Sequence, residues 1–185
     1  MYRIMLVDDE ENILKALRRV LINTPCIYDG VEYPVRVETF TSANEALNYA
    51  RNNAVDLVLS DYRMPGKDGV AFLREFKEIQ PLAARLILSG YADLNAVIGA
   101  INEAQIYRFL NKPWNDYELV SSIAQALAYR NLMVENLHLA DKARVNNGAM
   151  SPQELERKRL EEQDPGITHV NWGPDGSVIL DLGDE

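Results

Sequence analysis

Short apolar runs alternate with longer stretches of helical period over the first 130 residues. Ile4 to Val7 is an unbroken apolar run and reads as a first strand. Behind it, Ile13, Leu14, Leu17, Val20 and Leu21 recur at the spacing of one helix face. Val35 to Phe40 reads as a second strand. Thr41 or Ser42 can cap the next helix, and Glu45 stands three residues after Ser42, as in a capping box. Leu57 to Ser60 is a third strand, and Gly69 to Gln80 a helix that stops before Pro81. Arg85 to Ser89 is a fourth strand, followed by a helix capped by Asp93. Ile106 to Leu110 is a fifth, and a long helix begins near Asn115. Strands three and four are nearly continuous in apolar residues, which suits parallel strands covered on both faces. Five β–α units in series imply a doubly wound α/β sheet with right-handed crossovers. Such sheets bind ligands beyond the carboxyl ends of their strands.

Two segments do not fit that series. Thr24 to Tyr33 lengthens the first return connection and holds the turn pair Asp29-Gly30. It reads as a surface insertion, a small hairpin without chemistry. After residue 130 the last helix continues through Leu132, Val134 and Leu137 toward Asn146-Asn147-Gly148. Ser151-Pro152-Gln153-Glu154 then supplies a cap, a first-turn proline and a capping-box acid. A short charged helix follows and ends before Pro165-Gly166. Thr168 to Trp172 and Ser177 to Leu182 flank Gly173-Pro174-Asp175-Gly176 and read as a β-hairpin. The expected units are therefore 1–130, a linker extension 131–150, and a tail 151–185. The stripe Leu119, Ile123, Ala126, Leu127, Arg130, Val134, Leu137 outruns one domain. It suits a dimer seam, a dock for the hairpin, or a helix folded back on its own tail. Arg130 and Asp141 interrupt its heptad character.

Charge narrows the function. The net charge is −9, and residues 150–185 alone hold nine acids against three bases. No part offers the basic footprint that phosphate-backbone binding needs, so direct nucleic-acid contact is disfavoured. Cys26 is the single cysteine, which excludes an internal disulfide. His138 and His169 lie far apart in sequence and are expected at the surface. No apolar run reaches the roughly 20 residues of a membrane span, and the N-terminus is no signal peptide, so a cytoplasmic protein is expected.

The chemistry gathers at the strand ends. Asp8, Asp9, Glu10 and Glu11 follow strand one, Asp61 strand three, Ser89-Gly90 strand four, and Lys112-Pro113 strand five. Alone, each has a plain explanation as a helix-start acid, a turn residue or a solvated charge. Together they lie at one end of four different strands of one sheet. Crowded carboxylates need a cation, and Mg²⁺ takes oxygen ligands from carboxylates, waters and phosphates. An aspartate can act as a nucleophile toward phosphorus. A lysine and a hydroxyl can support the transferring group.

The motifs LVDDEEN, LVLSDYRMPGKDG, LILSGYA and YRFLNKPW, in this order over residues 1–130, resemble the receiver domain of bacterial two-component response regulators. The resemblance implies the flavodoxin-like strand order 2-1-3-4-5. It implies Asp61 as phosphoacceptor, served by a sensor histidine kinase or a phosphotransfer protein. Asp9, Asp61 and the Arg63 carbonyl would bind Mg²⁺ (or Mn²⁺), with Asp8 acting through water. Lys112, Ser89 and Gly90 would bind the phosphoryl group. Ser89 and Phe109 would form the switch, and Phe109, lacking a hydroxyl, would act by packing alone. Arg63 and Tyr91 would tune hydrolysis, shielding a long-lived phosphoryl state. The only reactions implied are self-phosphorylation and self-dephosphorylation.

A dehalogenase-type phosphatase needs an acid two residues after its nucleophile, and Arg63 stands there. A flavodoxin needs a phosphate cradle after strand one, where Asp8-Asp9 would repel it. A degenerate receiver would lack part of the polar set, all of which is present. Output is less determined. A stand-alone regulator acting on an unidentified protein, or by homodimerisation, is the first reading. The alternative is the receiver fragment of a longer regulator with an ATPase-type DNA-binding or cyclic-di-GMP phosphodiesterase output.

Overall fold

The computed structural model describes residues 1–90, 104–163 and 165–167, and the backbone of 171–172 and 178–179. Five parallel strands form the main sheet: β1 (Tyr2–Val7), β4 (Val35–Phe40), β5 (Leu57–Asp61), β6 (Ala84–Gly90) and β7 (Arg108–Lys112). Their spatial order is β4-β1-β5-β6-β7. Counting only these five, that is 2-1-3-4-5, the expected doubly wound order. β1, β5 and β6 are the interior strands, and β5 is buried along its whole length. This explains their apolar runs, since neither face meets water. The edge strands β4 and β7 alternate with polar residues and are half-exposed.

Two apolar clusters sandwich the sheet. On one face lie α1 (Glu11–Asn23), through Leu14, Leu17 and Leu21, and the start of α4 (Asp116–Asn146), through Leu119, Ile123 and Leu127. The other face carries α2 (Ala43–Asn52) and α3 (Gly69–Ile79), through Ala46, Leu47, Phe72, Leu73 and Phe76. Caps fix where helices begin. Ser42 Oγ accepts from Glu45 N, Asp68 Oδ1 from Ala71 N at 2.8 Å, and Asn115 Oδ1 from Glu118 N at 3.1 Å. The expected helix after Asp93 lies outside the described residues.

Several boundaries differ from expectation. β1 begins at Tyr2 rather than Ile4, because Tyr2 already pairs with Val35. β7 is shifted by two residues: Ile106 is buried ahead of the ladder, and the strand runs on to Lys112, which pairs with Gly90. Asp61 is not one residue beyond its strand but the last residue within it, opposite Leu88.

The insertion is a hairpin of β2 (Ile27–Tyr28) and β3 (Val31–Glu32). Asp29 and Gly30 both have positive φ, the geometry of a two-residue hairpin turn. It is more than a surface loop. Cys26 and Tyr33 at its roots are buried, and Tyr2 and Tyr33 rings pack 5.5 Å apart.

Helix α4 has 31 residues, about 46 Å of rise. Beyond Leu127 its only buried residue is Asp141. The chain turns at Gly148, with φ of 78°, and α5 (Pro152–Gln163) folds back along α4. The predicted capping box forms: Glu154 N donates to Ser151 Oγ at 3.1 Å and Ser151 N to Glu154 Oε2 at 2.8 Å. Asp141 accepts from Arg144 at 3.0 Å and pairs closely with Lys158 of α5. His138 Nε2 lies 2.8 Å from Glu162 Oε2, so this histidine is half-buried in a contact rather than freely exposed. His169 lies outside the described residues. Arg130, the other interruption of the stripe, binds Asp56 at 2.8 Å. Both polar interruptions thus carry tertiary contacts. Among the described residues α5 folds back on the long helix, one of the three uses considered for it. β8 (Asn171–Trp172) and β9 (Val178–Ile179) pair antiparallel, as the expected hairpin requires. Among the described residues no helix is long and apolar enough to cross a membrane.

Candidate functional site

The sheet delivers its chemistry to one edge. Asp8 and Asp9 follow β1, Asp61 ends β5, Ser89 and Gly90 end β6, and Lys112 ends β7. Lys112 Nζ lies 2.6 Å from Asp61 Oδ1 and 2.8 Å from Asp8 Oδ2. The second oxygens are also held. Asp61 Oδ2 accepts from Arg63 N at 3.0 Å, and Asp8 Oδ1 from Glu10 N at 2.9 Å. Asp8 and Asp61 are 1% and 6% exposed, whereas Asp9 is open to solvent. One oxygen from each of these three aspartates lies within 4.8 Å of the others. Three hard oxygen donors around one point, one facing water, fit Mg²⁺ or Mn²⁺ and its retained waters.

The electrostatics follow from burial and crowding. Burial lifts the Asp61 carboxyl above the usual aspartate range, and the Asp8 charge adds to the lift. Hydrogen bonding and charge from Lys112, with the Arg63 N–H, pull the other way without cancelling it. For Lys112, burial works against the ammonium. The hydrogen bonds it donates to Asp61 and Asp8, and their charges, outweigh it and raise its pKa. One ammonium therefore offsets two buried carboxylates, which leaves the cluster short of positive charge.

The other predicted residues are placed as follows. Ser89 is buried, and its hydroxyl donates to the Gly90 carbonyl at 3.1 Å rather than toward Asp61. Phe109 is partly buried and packs on the cluster containing Ile87, Ala104 and Ile106. The Arg63 side chain is exposed beside the site. Tyr91 lies outside the described residues. The Lys112–Pro113 peptide is cis.

One residue was read in sequence only as the first residue of a helix. Gly69 is the first residue of α3, and its backbone N–H donates to the Tyr62 carbonyl at 2.8 Å. A Cβ there would stand 2.0 Å from the Asp61 carbonyl oxygen. Gly69 is what allows α3 to start directly behind Asp61. Its spacing of eight residues from Asp61 carries no such signal by itself.

The response regulator receiver domain is the family whose model matches, over residues 4–124. The hydrogenase transcriptional regulatory protein HoxA of Cupriavidus necator is 37% identical over 129 residues, covering 70% of this chain and 25% of HoxA. Among solved structures, the signal receiver domain of an HD domain-containing protein from Pseudomonas fluorescens is 35% identical with a TM-score of 0.62. The match covers 70% of this chain and 97% of that one. A response regulator receiver domain protein from Clostridium thermocellum is 32% identical, also with a TM-score of 0.62, covering 72% and 99%. The chain spans about a quarter of the length of the curated relatives it matches.

Proposed function

Because the chain belongs to the response regulator receiver domain family, we propose that Asp61 accepts a phosphoryl group from the phosphohistidine of a sensor kinase or phosphotransfer protein. The observation that carries this is the Lys112 ammonium, held between Asp61 and Asp8 beside a three-aspartate cluster. An Asp61 oxygen attacks phosphorus, the P–N bond to the donor imidazole breaks, and the imidazole nitrogen keeps the electron pair and takes up a proton from solvent. Asp8, Asp9 and Asp61, with the Arg63 carbonyl, would hold Mg²⁺ (or Mn²⁺), which supplies positive charge against the phosphoryl oxygens. Lys112 is already aimed at Asp61 and needs no reorientation to pair with a phosphoryl oxygen there. Gly90 leaves room for the backbone to approach that group.

The structure holds Ser89 turned toward its own loop, so this hydroxyl is free to exchange the Gly90 carbonyl for a phosphoryl oxygen. That exchange would draw the loop after β6 inward and bias the packing of Phe109. The chain acts on no second substrate, only on its own phosphoryl group, and works in the cytoplasm. Arg63 and Tyr91 shield the phosphoryl group from water. The signal passes to a protein partner or a second copy of the chain, because the net charge of −9 does not suit direct DNA contact.

A longer regulator containing this receiver is the second reading, favoured by the quarter-length match to transcriptional regulators. Incubation with acetyl phosphate and Mg²⁺ tests the central claim. An acid-stable, base-labile adduct is expected in the parent and absent in Asp61→Asn. No mass gain in the parent would refute it.

A further inference from the structure

The N-terminal edge of the sheet, opposite Asp61, holds a buried cation that has no counter-ion among the described residues. Arg85 is 6% exposed at the start of β6. Its guanidinium donates to backbone carbonyls only: Ala104 at 3.0 Å, Ala83 at 2.8 Å, Pro81 at 3.2 Å and Gln80 at 3.4 Å. Among the described residues no carboxylate pairs with it, and burial alone pulls its pKa below the usual arginine value. Buried charges are normally paired, so this arrangement calls for an anion from outside the described residues.

Arg85 lines a cleft of about 680 Å³ together with Arg130, Ile106, Tyr107, Tyr129 and Met133. Tyr107 and Tyr129 pack with ring centroids 5.1 Å apart. Tyr129 and Met133 remain 49% and 44% exposed. Arg130 spends one nitrogen on Asp56, yet its Nε is buried without any partner. The cleft therefore offers two guanidinium groups and an apolar, aromatic wall. It suits a segment that brings carboxylates and large apolar side chains together.

Such a segment starts next door. The contacts Asp141–Lys158 and His138–Glu162 bind α5 to α4 and fix where the chain leaves it. Pro165 then lines a groove of about 450 Å³ with Val134 and Leu137. That groove shares Pro81, Leu82, Ala83 and Arg130 with the Arg85 cleft. Residues 168–185 contain Asp175, Asp181, Asp184 and Glu185 and no lysine or arginine. They also contain Trp172, Val178, Ile179, Leu180 and Leu182, and a two-stranded hairpin is marginal in water on its own.

We propose that residues 168–185 dock into the cleft of Arg85, Tyr107 and Tyr129, an acidic carboxylate of that segment serving as the counter-ion of Arg85. The tail is then an intramolecular ligand of the receiver at the edge away from Asp61. The proposal does not depend on phosphorylation.

Hydrogen exchange of the full chain tests it. Amides of residues 168–185 are expected to be protected in the parent at low salt. The triple variant Asp181→Asn, Asp184→Asn, Glu185→Gln should accelerate their exchange about tenfold or more, as loss of charge-assisted hydrogen bonds implies. Tyr129→Ala, at a half-exposed position that should not disturb folding, is expected to do the same from the other side of the contact. Exchange of the parent tail at unprotected rates would overturn the proposal. So would protection that survives both variants, which would place the tail elsewhere. Protection that rises with protein concentration would mean that a second copy fills the cleft.

Discussion

The close approach at Gly69 makes the sharpest test of how the site is built. In Gly69→Ala the new Cβ would sit 2.0 Å from the Asp61 carbonyl oxygen and 3.0 Å from Tyr62 Cα. Both neighbours are backbone, so neither can swing aside. The groups must part by roughly 1 Å to reach even a tight non-bonded contact, and overpacking of this kind costs about 1–3 kcal/mol. Alanine returns up to about 1 kcal/mol of helix propensity in a helix interior, and less at this first helical position. The expected net loss is about 1–2 kcal/mol. The displaced atoms belong to Asp61 itself, whose carboxylate lies 2.6 Å from Lys112. A misplacement near 1 Å can cost as much as about 100-fold in rate. Urea unfolding at constant slope would read the stability, and mass spectrometry the rate of phosphoryl uptake from acetyl phosphate with Mg²⁺. Gly66→Ala is the control. Gly66 has φ of 79° but nothing within 4 Å, so alanine there should cost stability without slowing uptake. If Gly69→Ala were as stable as the parent and equally fast, close backbone approach would not be what shapes the site.

Lys112→Met should lower stability by about 3–5 kcal/mol, since it leaves Asp8 and Asp61 buried without a cation. Added Mg²⁺ should restore part of this, and an unfolding midpoint blind to Mg²⁺ would argue against metal binding by the aspartates. Arg63→Ala should shorten the phosphoryl half-life by opening the site to water, and a longer half-life would contradict shielding. Burial pushes the Cys26 thiol from 9.0 up to about 11. The folded state thus favours the neutral thiol, so its contribution is whole below pH 9 and is lost as pH rises toward 11. Urea midpoints in that window should fall more steeply for the parent than for Cys26→Ala, and parallel slopes would show that the thiolate is not excluded. Leu132 and Leu139 on α4, outside the Arg85 cleft, are 60% and 55% exposed. Light scattering with and without a phosphoryl mimic should show a dimer in at least one state, and a monomer in both would remove α4 as a dimer seam.

The interior of the sheet was legible because burial on both faces leaves a continuous apolar run in β1, β5 and β6. The edge strand β7 was less so. Its sequence, Arg-Phe-Leu-Asn-Lys, alternates, and the apolar anchor Ile106 stands before the ladder rather than in it. Asp8, Asp9, Asp61 and Lys112 could be named from sequence because strand order alone brings strand ends together. The turn of Ser89 toward Gly90 could not, since a hydroxyl rotor answers to local geometry. Gly69 stayed hidden because a glycine that opens a helix and a close-approach glycine look alike until α3 is packed. Asp141 looked like a break in an apolar stripe. Its partner Lys158 lies 17 residues later and meets it only after the chain folds back at Gly148.

The strand that carries Asp61 is pinned at both ends, and this constrains how a signal can leave the site. At its far end, Asp56 accepts from Arg3 N at 2.7 Å and pairs with Arg130 of α4 at 2.8 Å. Between the two aspartates, residues 57–60 are buried and hydrogen-bonded into neighbours on both sides. A close-packed strand held this way does not slide by a fraction of its repeat. Up to two added negative charges on Asp61 must therefore be accommodated by groups that have another arrangement within reach. Lys112 is fixed between two carboxylates, which leaves the Ser89 hydroxyl, the Gly90 backbone and the half-exposed Phe109 ring. These lie on β6 and β7, toward the open edge of the sheet. The same two strands begin beside the Arg85 cleft, so a tail docked there touches the strands through which a change at Asp61 would be felt. Coupling between the two edges needs no longer path than β6 itself, seven residues from Ala84 to Gly90.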